Sequence, residues 1–114
     1  MKHTIDAENK VLGRVASEAA RVLLGKDTPA FQKNEVAGIN VEVINASKMK
    51  MPEKKMLQEK YARHSGYPGS QKWMSRKDVV DKKGVEELVR RAVYKMLPKN
   101  RLQAIRIKTL IVTK

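Results

Sequence analysis

The seven-residue run from Arg63 to Gly69 combines a guanidinium, an imidazole, a hydroxyl and an aromatic ring with two glycines. Arginine pairs with phosphates, a tyrosine ring such as that of Tyr67 stacks on an unpaired base, and glycine lets a backbone approach its ligand closely. This mixture favours an RNA-binding loop. An ordinary glycine-proline surface turn with an accidental histidine explains the same residues about as well, so both interpretations stand at this stage.

A second cluster of donors lies in the run from Leu97 to Arg101, where a proline directly precedes Lys99 and Asn100. Lys99 and Arg101 can reach phosphates, and Asn100 can bond a base edge or a 2′-hydroxyl. The alternative is plain helix termination, with cations favoured near the negative end of the helix dipole. The two interpretations are compatible with each other.

Catalytic and metal chemistry are poorly supplied. His64 and Ser65 are neighbours, which rarely point at each other, and no G-x-S-x-G elbow accompanies them. Gly13 and Gly25 do not have the spacing of a phosphate-binding loop. The absence of cysteine excludes disulfides and thiolate metal sites, and the only other histidine is His3. We expect no catalytic residue, no metal, no cofactor and no small-molecule substrate.

The charge of the chain is unevenly distributed. The 25 Lys and Arg against 12 Asp and Glu give a net charge of +13. Residues 1–53 carry 8 basic and 7 acidic residues, a net of +1, whereas residues 54–114 carry 17 and 5, a net of +12. Such an excess indicates a polyanionic partner, because each phosphate that is neutralised releases condensed counterions. A merely soluble cationic surface and an anionic membrane face are the alternatives.

Hydrophobic periodicity predicts the elements that must position these residues. Residues 3–6 are a candidate first strand, and residues 12–24 have the apolar spacing of a helix that ends at a glycine. The β-branched alternation over 39–45 predicts a strand. A second amphipathic helix is predicted over 84–97 and a last strand near 110–113. A strand, a helix and a further strand in this order resemble a parallel unit with a right-handed crossover and indicate an α/β domain.

The remaining segments give weaker signals. Residues 51–73 lack a long period and are interpreted as an exposed excursion with a short hairpin around Tyr61 and Arg63. The run from Ser75 to Asp78 is a weak capping box for a short helical turn. Residues 102–112 fit a strand or a short helical face. No repeat or linker divides the chain, and no signal core or apolar run of about 18 residues occurs, so we expect a single domain over 1–114 in a soluble cytoplasmic protein.

The two basic motifs, together with the runs 5–8, 11–17 and 43–46, resemble the bacterial form of the large-subunit ribosomal protein L13 family. The similarity extends in order from Thr4 to Arg101. Residues 61–69 resemble the family's Y-x-R-H-S-G-Y-P-G-G, and residues 96–102 resemble its M-L-P-K-N-R-L. Ser70 replaces the second glycine of the first motif, and Gln103 stands where glycine is expected.

This resemblance implies a three-layer α/β/α fold with a mostly parallel four-stranded sheet and a basic RNA-binding loop. It also implies a structural constituent of the large ribosomal subunit that binds large-subunit ribosomal RNA, contacts neighbouring ribosomal proteins and supports early subunit assembly and translation. With the other basic residues of the chain, the candidate RNA-binding residues are Arg14, Lys54, Lys55, Lys60, Tyr61, Arg63, His64, Ser65, Gly66, Tyr67, Pro68, Gly69, Lys72, Lys95, Pro98, Lys99, Asn100 and Arg101. Lys82 and Lys83 are interpreted as a solvated pair.

Two other functions compete with this one. A stand-alone regulator could use the same basic surface on a messenger RNA, and it predicts affinity for a short isolated RNA and presence outside ribosomes. An α/β enzyme acting on a phosphorylated ligand needs a nucleotide-binding loop or a convergent acid/base pair. The sequence contains neither signature.

Overall fold

The computed structural model describes residues 2–26, 28–29, 32, 34–36, 38–58 and 60–114, without the side chains of residues 53–55. The described part contains five strands and five α-helices. Their bounds are β1 Lys2–Asp6, α1 Leu12–Leu24, β2 Asn40–Ile44, α2 Glu53–Gln58, β3 Lys60–Arg63, β4 Lys72–Ser75, α3 Arg76–Lys83, α4 Val85–Met96, α5 Gln103–Ile107 and β5 Leu110–Val112, with a 3-10 turn at Ala46–Lys48 after β2. Strand β3 is followed directly by β4, and α3, α4 and α5 are consecutive.

The larger sheet has three parallel strands in the order β1-β2-β5, and β3 and β4 form a separate antiparallel pair. Val43 in the central strand β2 lies opposite Ile5 of β1 and Val112 of β5. The predicted parallel β-α-β unit and the mixed α/β class are therefore confirmed. The parallel sheet of the described residues contains three strands, so the expected four-stranded sheet is not confirmed.

Helix α1 has the predicted bounds because its apolar residues repeat at helical spacing. Val15, Ala16 and Ala19 are fully buried. The helix ends at Gly25, whose φ of 81° is left-handed and whose N–H donates to the carbonyl oxygens of Arg21 and Val22. Burying this apolar stripe attaches α1 to the sheet and fixes where its charged outer face points.

Helix α4 packs against α1 and contributes Val89 and Val93 to the same core. It ends just before Leu97-Pro98, close to the predicted end. The sheet face that carries Ile5 and Val43 is buried. The alternation of the strands places Thr4 and Ile111 on the opposite face, where both are exposed.

The segment 51–73 contains more structure than the sequence predicted. The hairpin is confirmed, because Tyr61 of β3 lies opposite Met74 of β4. Helix α2, at residues 53–58 within this excursion, was not predicted. A helix of fewer than two turns gives too short a run for its apolar spacing to be recognised.

The capping box at Ser75 is complete. Ser75 Oγ accepts a hydrogen bond from Asp78 N, and Asp78 Oδ2 accepts one from Ser75 N, both at 3.3 Å. It begins α3, which runs for eight residues and is longer than the predicted turn. The helix carries Lys82 and Lys83 in its last turn, where the helix dipole favours cations.

Candidate nucleic-acid interface

The hairpin β3–β4 projects the loop 64–71, which contains most of the first motif. Gly66 and Gly69 have φ values of 96° and 73°, a left-handed conformation that glycine adopts without strain. Gly66 N donates to His64 Nδ1 at 2.9 Å, and Ser70 Oγ donates to the carbonyl oxygen of Tyr67. These local bonds shape the turn and leave the ring of Tyr67 75% exposed. The loop therefore presents an aromatic face to the solvent.

The Tyr61 ring attaches the hairpin to α4. Arg91 Cζ lies 5.1 Å from the centroid of this ring, and Lys95 Nζ lies 4.8 Å from it. Arg91 Nε also donates to Glu87 Oε1 at 3.1 Å, which fixes the guanidinium one turn along α4. Cations at these distances are attracted by the quadrupole of the ring. The half-buried Tyr61 therefore positions the base of the loop as well as lying among the candidate residues.

An open groove of about 720 Å³ runs along the hairpin beside α3 and α4. Among the residues that the structure describes, all the charged ones lining the groove are cations. The six are Lys60, Arg63, Lys82, Lys83, Arg91 and Lys95. A concave surface lined by one sign of charge raises the local concentration of a counter-ion, so this groove favours a polyanion.

The second motif follows α4 as an exposed turn. Asn100 Oδ1 accepts from Leu102 N at 3.0 Å, and the carbonyl oxygen of Asn100 accepts from Gln103 N at 3.2 Å. Asn100 thus shapes the turn through its side-chain oxygen. The side chains of Pro98, Lys99 and Arg101 are exposed on either side of it, and the two cations can reach phosphates there.

Arg14 lies on a different surface, the outer side of α1. It lines a groove with Lys10 and Lys50. Lys50 reaches this place because its N–H donates to the carbonyl oxygen of Lys10 at 2.9 Å, next to a parallel bridge between Val11 and Lys50. Lys10 Nζ also lies 3.5 Å from Glu18 Oε2. The near-neutral first half of the chain therefore also presents a cluster of cations, which its net charge of +1 did not reveal.

The structure places the other candidates unevenly. Lys72 lies opposite Arg63 in the hairpin register, and both are exposed. Lys54 and Lys55 belong to α2, but their side chains lie outside the described residues. Four candidates meet in the groove, namely Lys60, Tyr61, Arg63 and Lys95, whereas Arg14 and the turn 98–101 lie outside it.

Sequence reasoning missed four charged or aromatic residues that line the groove, Trp73, Lys82, Lys83 and Arg91. The lysine pair was noticed and interpreted as solvated. Arg91 forms an i,i+4 ion pair with Glu87. Its second contact, with the ring of Tyr61, joins distant parts of the chain and leaves no periodic signal. The available signal for Trp73 was an isolated aromatic residue within a basic stretch.

The described ranges contain neither a cluster of metal ligands nor a membrane-spanning helix. No group of three or more histidine, aspartate or glutamate side chains there is arranged to hold a metal ion. No helix in this part of the chain is long and apolar enough to cross a membrane.

Comparison with known proteins gives a consistent result. The family described as Ribosomal protein L13 matches residues 1–113. A relative from Pelotomaculum thermopropionicum, named Large ribosomal subunit protein uL13, is 48% identical over 100 residues, which cover 88% of this chain and 69% of the relative. Relatives of the same name from Citrifermentans bemidjiense and Aquifex aeolicus are 44% identical over 108 residues (95% of this chain, 75% of the relative) and 48% identical over 98 residues (86% and 67%). The chain therefore belongs to the ribosomal protein L13 family.

Proposed function

We propose that this protein is a structural constituent of the large ribosomal subunit that binds large-subunit ribosomal RNA and supports early subunit assembly and translation in the cytoplasm. The single observation that carries the proposal is the family match over residues 1–113. The relatives are named as proteins of that subunit. Its partners are the ribosomal RNA and neighbouring ribosomal proteins, and its role requires no catalytic residue or cofactor.

The charges of the molecule support RNA as the principal partner. Lys60, Arg63 and Lys95 line a groove in which the described charged residues are all cations, and Lys99 and Arg101 extend from an exposed turn. Each cation that neutralises a phosphate releases counterions, so the free energy of binding accumulates over many modest contacts. A folded domain with several separate cationic surfaces suits a protein that bridges different RNA helices.

The proposed RNA-binding residues divide into four groups. The loop Arg63, His64, Ser65, Gly66, Tyr67, Pro68 and Gly69 approaches the RNA most closely, and Lys60, Tyr61, Lys72 and Lys95 surround its base. Pro98, Lys99, Asn100 and Arg101 form the second contact, and Arg14, Lys54 and Lys55 supply outlying contacts. Phosphate contacts fix the orientation of the protein, and the Tyr67 ring stacks on an unpaired base.

We also propose two features of the fold that go beyond the three-stranded sheet described above. Residues 1–114 form a single domain, and the sheet has a fourth strand in a three-layer α/β/α arrangement. The exposed side chains of Thr4 and Ile111 on the outer sheet face leave room for a third layer. Both outer strands, β1 and β5, have a free edge in the described sheet, where one more strand can pair.

The proposal is tested by the RNA preference of the intact chain. Its affinity for large-subunit ribosomal RNA is compared with its affinity for small-subunit ribosomal RNA at the same salt concentration, because non-specific phosphate binding is common to both. We expect tighter binding to the large-subunit RNA. Equal affinity for both, with tight binding to a short messenger RNA segment, would contradict the proposal and support a stand-alone regulator.

A further inference from the structure

Trp73 occupies the outer face of the β3–β4 hairpin. In the antiparallel register Tyr61 lies opposite Met74, and Ala62 lies opposite Trp73. Because successive side chains of a strand point to opposite faces, Trp73 and Ala62 share one face and Tyr61 shares the other with Met74. The Tyr61 face packs on α4 through Arg91 and Lys95. The indole therefore lies on the hairpin face opposite Tyr61, and Trp73 is 60% exposed.

The surroundings of this indole are basic and sterically open. Its cross-strand neighbour Ala62 has only a methyl side chain, and Lys60 lies on the same face two residues before Ala62 in β3. Trp73 and Lys60 both belong to the lining of the cationic groove, which continues to Lys82 and Lys83 at the end of α3. An apolar protein partner would have to cover these cations, and the described lining residues include no carboxylate to compensate them. A polyanion with flat bases satisfies both features.

We propose that the outer face of the β3–β4 hairpin binds an unpaired nucleotide of RNA, with the Trp73 indole stacked on its base and Lys60, Lys82 and Lys83 near the adjoining phosphates. Aromatic platforms beside cationic grooves bind single strands in this way, since every base has a π-face. The inference rests on the proposed RNA-binding function. It adds a contact that neither the two sequence motifs nor the family comparison assigns.

Fluorescence of the intact protein tests this contact directly, because Trp73 is the only tryptophan in the chain. The protein is titrated with a polyuridylate of about ten nucleotides, within the range of roughly 4–16 that single-strand sites accept. Inorganic polyphosphate and an RNA duplex of the same length serve as controls at the same salt. We expect quenching by the single strand and little change with polyphosphate or the duplex. Binding of the single strand without quenching would overturn the proposal.

Affinity measurements on variants separate stacking from charge. Stacking predicts that Trp73→Ala weakens binding of the single strand on the order of tenfold, whereas Trp73→Phe stays close to the unsubstituted protein and neither changes the salt dependence. Tyr94→Ala is the matched control, because Tyr94 is a 43% exposed aromatic on α4 outside the groove. The affinity of this variant should not change. Circular dichroism confirms that each variant is folded.

The failure of this inference is distinguishable from failure of the proposed function. If Trp73→Ala binds the single strand as tightly as the original while Lys99→Ala/Arg101→Ala weakens ribosomal RNA binding, the stacking contact is wrong and the RNA-binding function stands. Trp73 would then be a candidate contact for a neighbouring ribosomal protein. If the intact chain binds neither RNA, both proposals are wrong.

Discussion

Asn45 Nδ2 donates a hydrogen bond of 3.1 Å to Asp6 Oδ1, and this contact joins the carboxyl ends of β1 and β2. The same oxygen accepts the backbone N–H of Glu8 at 3.0 Å. Asn45 has a φ of 57°, so the chain turns sharply there into the 3-10 turn. The N–H of Glu8 and then the amide of Asn45 stabilise the carboxylate, and they lower the pKa of Asp6 below its ordinary value of 3.8.

This contact predicts a dependence of stability on acid pH. Because the pKa of Asp6 is lower in the folded state, its contribution is fully present above the unfolded value of 3.8 and is lost as the pH falls through the folded pKa. Urea unfolding between about pH 5 and pH 2 should show a smaller loss of stability for Asp6→Asn than for the original protein. The matched control is Asp81→Asn, because Asp81 is an exposed carboxylate on α3. An identical acid response in all three proteins would contradict this account.

The contact between the Tyr61 ring and Lys95 predicts that the stability effects of substituting these two residues are coupled. Removing the ring in Tyr61→Leu, or the cation in Lys95→Met, breaks the same interaction, so the double variant should lose less stability than the two single losses together. The expected coupling in urea unfolding is about 0.5–1 kcal/mol, typical of a cation–π pair with a solvent-exposed cation. Strict additivity would show that the hairpin is attached to α4 by other contacts.

Arg106 predicts a contrast between two substitutions. Its side chain is 1% exposed, and its Nη2 donates to the carbonyl oxygen of Glu35 at 3.4 Å. Its Nε has no hydrogen-bond partner in the described part of the chain. Arg106→Ala leaves a cavity and should cost about 2–4 kcal/mol in urea unfolding. Arg106→Met keeps the stem, removes an incompletely satisfied charge, and should cost less than about 1 kcal/mol. Equal losses for both would show that the guanidinium contact with Glu35 dominates.

Helix α5, which contains Arg106, shows where sequence periodicity fails to predict burial. Apolar spacing over residues 102–112 fitted either a strand or a short helical face, and it gave no sign that in α5 Ile105 is 48% exposed while Arg106 is buried. The contact of Arg106 with Glu35 lies far away along the chain, and local spacing contains no information about it. Helix α1 was predicted with its observed bounds because its buried face is a local property of thirteen residues.

The candidate site was likewise predictable from the sequence only where it depends on local motifs. Local motifs placed the exposed loop around Tyr67 and the turn around Asn100, where glycine, proline and polar residues favour turns. The groove that joins β3, α3 and α4 was not predicted, because it requires knowing that Arg91 and Tyr61 meet. The aromatic residue proposed to stack there, Trp73, lies outside both motifs.

The turn after α4 predicts a change in salt dependence. The double variant Lys99→Ala/Arg101→Ala should bind large-subunit ribosomal RNA more weakly, with the slope of log affinity against log salt smaller by about one unit for each lost phosphate contact. Lys26→Ala/Lys77→Ala removes the same number of exposed cations outside the described grooves, and it should leave most of the slope intact. An unchanged slope in the first variant would exclude phosphate contacts at this turn.

The most direct test of the central claim is whether the chain in a cell lysate sediments with the large ribosomal subunit. Lysate is sedimented on a gradient after a high-salt wash, which strips weak phosphate binding, and the fractions are probed for this protein. The account predicts that the chain travels with the large ribosomal subunit through the wash. Recovery mainly in the soluble fractions, with large subunits present but lacking it, would contradict the account.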